Sequence, residues 1–220
     1  MSDGSHKQFG SRLPEWASNP TLATIATARA TRRYKPDPIP HEQLRTLVQA
    51  ATCAPNPRNH QPWEFVVITD AENRARIGAA VEPRAAEVDA AIPKLRSEER
   101  RQVFRAGAAL MRSLATAPAL VLVCGRPHDY GPDFNSHDIL LSALHTAAQN
   151  LLLAARSLGL GGAFTTLHLH AEQVIREEAC LPDEVHIAAL LPIGAPDTPG
   201  GPVRRRPVDE VLHWERYREA

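Results

Sequence analysis

The chain has 220 residues, with 25 basic against 25 acidic side chains and only 5% aromatics. That length suits one domain with a sizeable core. The charge balance gives no global field to attract nucleic acid or anionic lipid, and the sparse aromatics argue against a stacking platform for single strands. No apolar run approaches the roughly 20 residues of a membrane-spanning helix, and 1–20 lacks the apolar centre of a signal peptide, so the expected location is the cytoplasm. Cys53, Cys124 and Cys180 are odd in number, far apart and without metal-type spacing, which argues against a disulfide framework. Cys53 could be a reactive thiol but reads rather as a small buried hydrophobe, no base or cationic helix end being evident beside it.

In chain order, 1–20 reads as an arm and 21–29 as a first helix, followed by the breakers Pro36, Pro38 and Pro40. A second helix opens at His41, with Leu44, Leu47, Val48 and Ala51 at helical spacing. The next ten residues, Ala54-Pro55-Asn56-Pro57-Arg58-Asn59-His60-Gln61-Pro62-Trp63, combine stiff prolines with closely spaced amides. Such a loop can be a connector whose amides cap local backbone, or a wall offering donors and acceptors to a polar heterocycle. A buried strand is expected over 65–69, and then a short helix capped by Asp70. Pro83 and Pro93 interrupt a charged helical stretch, 83–105, that suits either a mobile lid or a surface helix pair.

A second buried strand is expected over 119–124. The longest periodic helix, 136–158, has apolar positions wrapping widely round its axis, which makes it central. Gly159, Gly161 and Gly162 end it as left-handed-tolerant residues. A helix over 171–179, a strand over 186–193, a turn-rich loop over 196–202 and an amphipathic segment over 208–217 complete the chain. This order lacks the strict alternation of a doubly wound fold and suits an α+β sandwich of helices on a small mixed sheet. Gly159-Leu160-Gly161-Gly162 follows a helix rather than a strand, so it is a helix end and not a dinucleotide phosphate loop.

Arginine is the candidate anion ligand. Arg29, Arg32 and Arg33 close the first helix, and Arg204, Arg205 and Arg206 follow a glycine pair near the C-terminus. Guanidinium forks from distant segments can replace a glycine-rich phosphate loop, although arginine runs are also ordinary solvated surface. Thr165 and Thr166 place two hydroxyls beyond the glycine cap, or are plain strand-entry residues. His168 and His170 could share a metal only from an extended strand, and no third ligand is evident. His137, Asp138 and His145 on the long helix could form a proton relay. No serine or cysteine sits in a hydrolase motif.

Four segments together resemble the FMN-dependent nitroreductase family. They are Ala28-Arg29-Ala30-Thr31-Arg32-Arg33-Tyr34; the 54–63 loop with Phe65-Val66-Val67; Ala148-Gln149-Asn150-Leu151-Leu152-Leu153-Ala154-Ala155-Arg156 with Leu158-Gly159-Leu160-Gly161; and Arg205-Arg206-Pro207. Their order and spacing span 22–217. The resemblance implies a single nitroreductase-like α+β domain over 21–220, with subunit-swapped extensions. It also implies a homodimer holding FMN at the subunit interface. Arg29 and the backbone at Ala30 would lie by the FMN phosphate, with Arg205 reaching it from the C-terminal end. Arg32 matches the cation near flavin N1 and O2, which favours the reduced ring. Pro55, Asn56 and Asn59 would meet the partner's flavin, and Thr165 and Thr166 match the positions near N5 and O4.

The activity implied is ping-pong hydride transfer at N5 from NAD(P)H to an electron-poor acceptor, a nitroaromatic or quinone, with no catalytic side chain needed. The family also includes flavin dehalogenases, dehydrogenases of peptide-derived rings and a flavin-fragmenting enzyme, and a flavin-sequestering protein is a further alternative. Three departures bear on this choice. Ala28 and Ala30 stand where an arginine and a serine are frequent, and Pro57-Arg58 replaces a pair of glycines. The last change stiffens the loop and adds a cation at the site mouth.

Overall fold

The computed structural model describes residues 13–198, 200–203 and 205–217. Most of the expected arm, 1–12, and Arg204 lie outside them. The elements run α1 (Pro20–Thr27), α2 (His41–Ala51), β1 (Trp63–Ile68), α3 (Ala71–Ala91), α4 (Glu98–Thr116), β2 (Ala119–Gly125), α5 (Ser136–Ser157), β3 (Gly161–Gly162), α6 (Glu172–Ala179) and β4 (His186–Gly194). The sheet order is β1-β2-β4-β3. Its ladders are all antiparallel where a mixed sheet is expected, and the parallel pairing of Ala30 with Gly162 is an isolated bridge beside β3.

The sheet is covered on both faces, which is why β2 is apolar throughout. Ala119, Val121 and Val123 point toward α2 and α5, joining Leu44, Leu47, Leu140, Leu144 and Leu151. Leu120, Leu122 and Cys124 point the other way, toward Ile77, Val81, Leu114 and Ile175 of α3, α4 and α6. Side chains alternate along a strand, so two-sided burial demands an unbroken apolar run. A bulge between Val123 and Cys124 shifts the register on β4. Ala188 and Ala189 consequently share one face of the sheet.

Two expectations change here. The helix capped by Asp70, whose carboxylate accepts from the Asn73 N–H at 2.9 Å, is long rather than short and runs through Pro83. Packing overrides the lost hydrogen bond: Val81 and Ala85 beside the proline are buried, and Arg112 of α4 pairs with Glu82 at 3.0 Å and Asp89 at 2.7 Å. Gly78 allows this close approach, since a Cβ there would come within 2.6 Å of the Ala115 side chain. Pro93 does end the regular helix, in a single tight turn at Ile92–Lys94, so 83–105 belongs to a packed helical hairpin. The amphipathic segment expected over 208–217 is mostly irregular. It holds one turn, Val208–Glu210, and leaves Val211, Leu212, Trp214 and Tyr217 exposed.

Candidate active site

Asn19 caps α1 by accepting from the Leu22 N–H at 3.0 Å, and the helix stops at Ala28, whose backbone turns extended. From there the chain is laced to the sheet edge. The Thr31 N–H donates to Gly162 C=O at 2.9 Å, Lys35 N–H to Ala195 C=O at 2.9 Å, and Asp197 N–H to Arg33 C=O at 3.1 Å. The Tyr34 hydroxyl is shared between the carbonyls of Thr31, at 2.7 Å, and Pro192, at 3.1 Å. Burial pushes its pKa well above the usual tyrosine range, so it stays a donor. Gly161 lies directly under Thr31, where a Cβ would collide with the threonine hydroxyl. Arg29, Arg32 and Arg33 therefore project from backbone pinned along its length.

These arginines line a cleft of about 620 Å³ together with Arg105 of α4 and Arg156 of α5. Among the described residues no carboxylate lines it, and Leu152, Leu160, Ala163 and Phe164 supply an apolar wall. Arg156 is half-buried. Its Nε donates to Thr27 Oγ1 at 3.2 Å, while that hydroxyl donates to Ala23 C=O at 2.7 Å. Burial lowers the Arg156 pKa, yet a guanidinium remains charged across the working range. Arg105 is oriented by Glu98 at 2.7 Å. A volume of this size, cationic at one part and apolar at another, suits a ligand with a phosphate and a planar ring. FMN has both, and the residues present fit it.

Of the expected site residues, Arg29, Ala30 and Arg32 line this cleft. Pro55, Asn56 and Asn59 do not line it. Thr146 donates to Pro55 C=O at 3.3 Å and Asn150 to Ala50 C=O at 3.4 Å, while Gln149, Leu152 and Arg156 face the cleft. At 3.6 residues per turn these two sets point roughly 100° apart round α5. The loop thus stands on another side of α5 from its own chain's cleft. Thr165 is buried, its hydroxyl donating to Leu190 C=O at 2.7 Å, and Thr166 is exposed; neither lines the cleft, although the adjoining Ala163 and Phe164 do. Arg205 is exposed, two residues beyond the Val203 N–H that donates to Ala26 C=O at 3.0 Å and brings the C-terminal segment to α1.

Arg105, Gln149 and Arg156 were not singled out from sequence. Arg156 sits at the last turn of a helix, where a cation is ordinary, and only its burial distinguishes it. Cys53 is exposed rather than buried, because it follows α2 on the outer side, with its thiol 3.5 Å from Gln49 C=O. Asp138 accepts from the Asn135 side chain at 2.8 Å in the α5 cap, and His145 lies edge-on to Phe164 at 5.5 Å, so the three relay candidates do not converge. His168 and His170 occupy a tight turn, Leu167–His170, instead of a strand. Among the described residues no three His, Cys, Asp or Glu side chains gather as a metal site, and no helix is long and apolar enough to cross a membrane.

The sequence model of the Nitroreductase family matches residues 25–195. The chain is 30% identical over 205 residues to the NADH dehydrogenase of Thermus thermophilus, covering 84% of this chain and 91% of that protein. It is 25% identical over 206 residues to the NADPH-flavin oxidoreductase of Vibrio harveyi, with 91% and 76% covered. It is also 30% identical over 201 residues to the 5,6-dimethylbenzimidazole synthase of Rhodospirillum rubrum, with 86% of each covered. The crystal structure of nitroreductase A from Vibrio parahaemolyticus superposes with a TM-score of 0.69 at 26% identity, covering 93% of this chain and 78% of that one. With the family pattern extending from within α1 to the end of β4, the chain belongs to the nitroreductase family.

Proposed function

We propose that this protein is an FMN-dependent oxidoreductase that takes reducing equivalents from NAD(P)H and passes them, in a ping-pong cycle, to electron-poor acceptors such as nitroaromatics or quinones. The observation that carries this reading is the cleft lined, among the described residues, by Arg29, Arg32, Arg33, Arg105 and Arg156 and by no carboxylate, and walled by Leu152, Leu160 and Phe164. The names of its relatives in Vibrio harveyi and Thermus thermophilus support the nicotinamide donor.

Bound FMN supplies the hydride chemistry, at N5. The chain's own residues bind and orient. Arg29, Arg33 and Arg156 offer guanidinium forks to the phosphate, and Arg205 reaches it along the C-terminal segment. Arg32, whose Nη1 donates weakly to Ala30 C=O at 3.4 Å, places a cation that favours negative charge on the reduced ring. Leu152 and Phe164 would offer the ring an apolar wall. Thr165 and Thr166, which follow the cleft residues Ala163 and Phe164, would serve the N5 and O4 edge through backbone N–H groups, since the Thr165 hydroxyl is committed to Leu190.

Pro55, Asn56 and Asn59 act on the flavin of a second copy, which requires a homodimer. Their position off their own cleft supports that arrangement, as do the exposed Trp214 and Tyr217 at the C-terminal end. The experiment is direct. Purified protein should bind FMN, and NADH or NADPH should bleach its absorbance near 450 nm, with an added quinone restoring it. A protein that takes up no FMN overturns the reading. One that binds FMN but never bleaches is a flavin-sequestering protein. Equal identity to a 5,6-dimethylbenzimidazole synthase favours a second reading, flavin fragmentation. That reading predicts loss of the flavin spectrum after reduction in air, without recovery on adding acceptor.

A further inference from the structure

We infer that Arg58, together with the rings of His60, His128 and Tyr130, forms a recognition site for an anionic group, carboxylate or phosphate, attached to a planar ring. The inference rests on the flavin reading, because this loop is the one that would border the partner's flavin.

The observation is backbone strain at an arginine. Arg58 has φ 53° and ψ 19°, and Asn59 and Gln61 have φ 54° and 49°, so three non-glycine residues within four positions adopt the left-handed region. Asparagine tolerates that region; arginine and glutamine do so at a cost of about 1 kcal/mol each. Glycine at 58 would adopt this backbone without strain, so what distinguishes the position is the guanidinium it carries. Its own fold gives it little in return. Among the described residues no carboxylate lies within ion-pair distance of Arg58, and its one recorded partner is the face of Tyr130, 5.5 Å from the ring centre.

The surroundings hold this conformation in place. Asn56 Oδ1 accepts from the Gln61 N–H at 2.8 Å, and His60 N–H donates to Pro57 C=O at 3.1 Å. The 126–131 loop is brought alongside by β1–β2 pairing and by the Arg126 N–H on Pro62 C=O at 3.3 Å. His128 then stacks on His60 with ring centres 4.4 Å apart, and Tyr130, itself buried, stands edge-on to His60 at 5.4 Å. Asp129, between His128 and Tyr130 in sequence, accepts from the Gly131 N–H at 2.8 Å. A guanidinium lying over an aromatic face keeps its N–H edge available for an oxyanion fork, and the paired imidazoles beside it offer a flat surface and further donors. This cluster matches an aromatic acceptor bearing a carboxylate, or the phosphate-bearing adenosine end of NADPH.

Calorimetric titration of the FMN-loaded protein and its Arg58→Gly variant distinguishes these sources, using 4-nitrobenzoate, nitrobenzene, NADP+ and NAD+ as probes. Loss of one charge-assisted contact should cut the affinity ratio of 4-nitrobenzoate to nitrobenzene about tenfold, with the melting temperature unchanged or raised. A similar fall in the NADP+ to NAD+ ratio instead places the anion on the nucleotide. Both ratios staying within about twofold of the parent overturns the recognition site. If they stay so while the melting temperature falls, Arg58 serves packing against Tyr130 alone. Absence of FMN binding by the parent protein rejects the flavin reading and this inference together, whereas FMN-loaded protein with unmoved ratios rejects only the inference.

Discussion

Removing the Tyr34 hydroxyl, by Tyr34→Phe, probes how the arginine segment is held. The hydroxyl has one proton for two carbonyls, at 2.7 Å on Thr31 and 3.1 Å on Pro192, so the Thr31 bond is the main loss. Leaving these buried acceptors short of a donor costs about 1–2 kcal/mol. For a chain of this size that is a fall of about 3–6 °C in melting temperature. FMN affinity should fall only a few-fold, because the Thr31, Lys35 and Asp197 N–H groups pin the same segment independently. The effect also has a pH signature. The folded pKa is raised, so the stabilisation is fully present below the unfolded tyrosine value of about 10 and is lost as pH rises above it. The gap between parent and variant should be flat from neutral pH to about 10 and close in stronger alkali. Urea denaturation across that range measures it. A variant that melts within about 1 °C of the parent at pH 7, or a gap that widens above pH 10, refutes this account of Tyr34.

Three further outcomes are expected. Arg205→Ala should weaken FMN binding by up to a few kcal/mol, and unchanged affinity by fluorescence quenching counts against its phosphate role. Arg32→Ala should slow flavin reduction in stopped flow more than it weakens FMN binding, and the reverse pattern removes it from the N1 position. His168 is buried with its Nδ1 unpartnered, and burial depresses its pKa below the ordinary 6.5 against the opposing charge of Glu172. The unfolded chain therefore takes up a proton that the folded chain refuses, and stability should decline as pH drops below about 6.5. His168→Gln should flatten that decline in denaturant titrations, and an equal slope in both proteins would count against it.

Local signals made much of the fold legible. The apolar runs of β2 and β4 and the periodicity of α2 and α5 act over a few residues, so those elements emerged within a residue or two, and the Asp70 cap marked the start of α3 but not its length. Pro83 misled for the same reason: its local cost is real, but Ile77, Val81 and Ala85 of the same helix are buried, the first two against Leu114 and its neighbours, a packing gain that local sequence does not show. Cys53 misled because burial depends on which side of α2 faces the core. Arg29, Ala30 and Arg32 were legible as a site because they are adjacent in sequence. Arg156 and Arg105 were not, since only the folded chain brings α5 and α4 to the same cleft as the residues after α1.

The sequence by itself determined the family, the two-faced apolar sheet and the concentration of arginine beside α1, all of which reside in residue type and spacing. Only the tertiary structure decided that five arginines share one cleft, and that the 54–63 loop stands on another side of α5 from it. It also placed Arg58 in the left-handed region against Tyr130. Each of these depends on contacts between segments tens of residues apart, whose relative placement comes from packing and not from local preference.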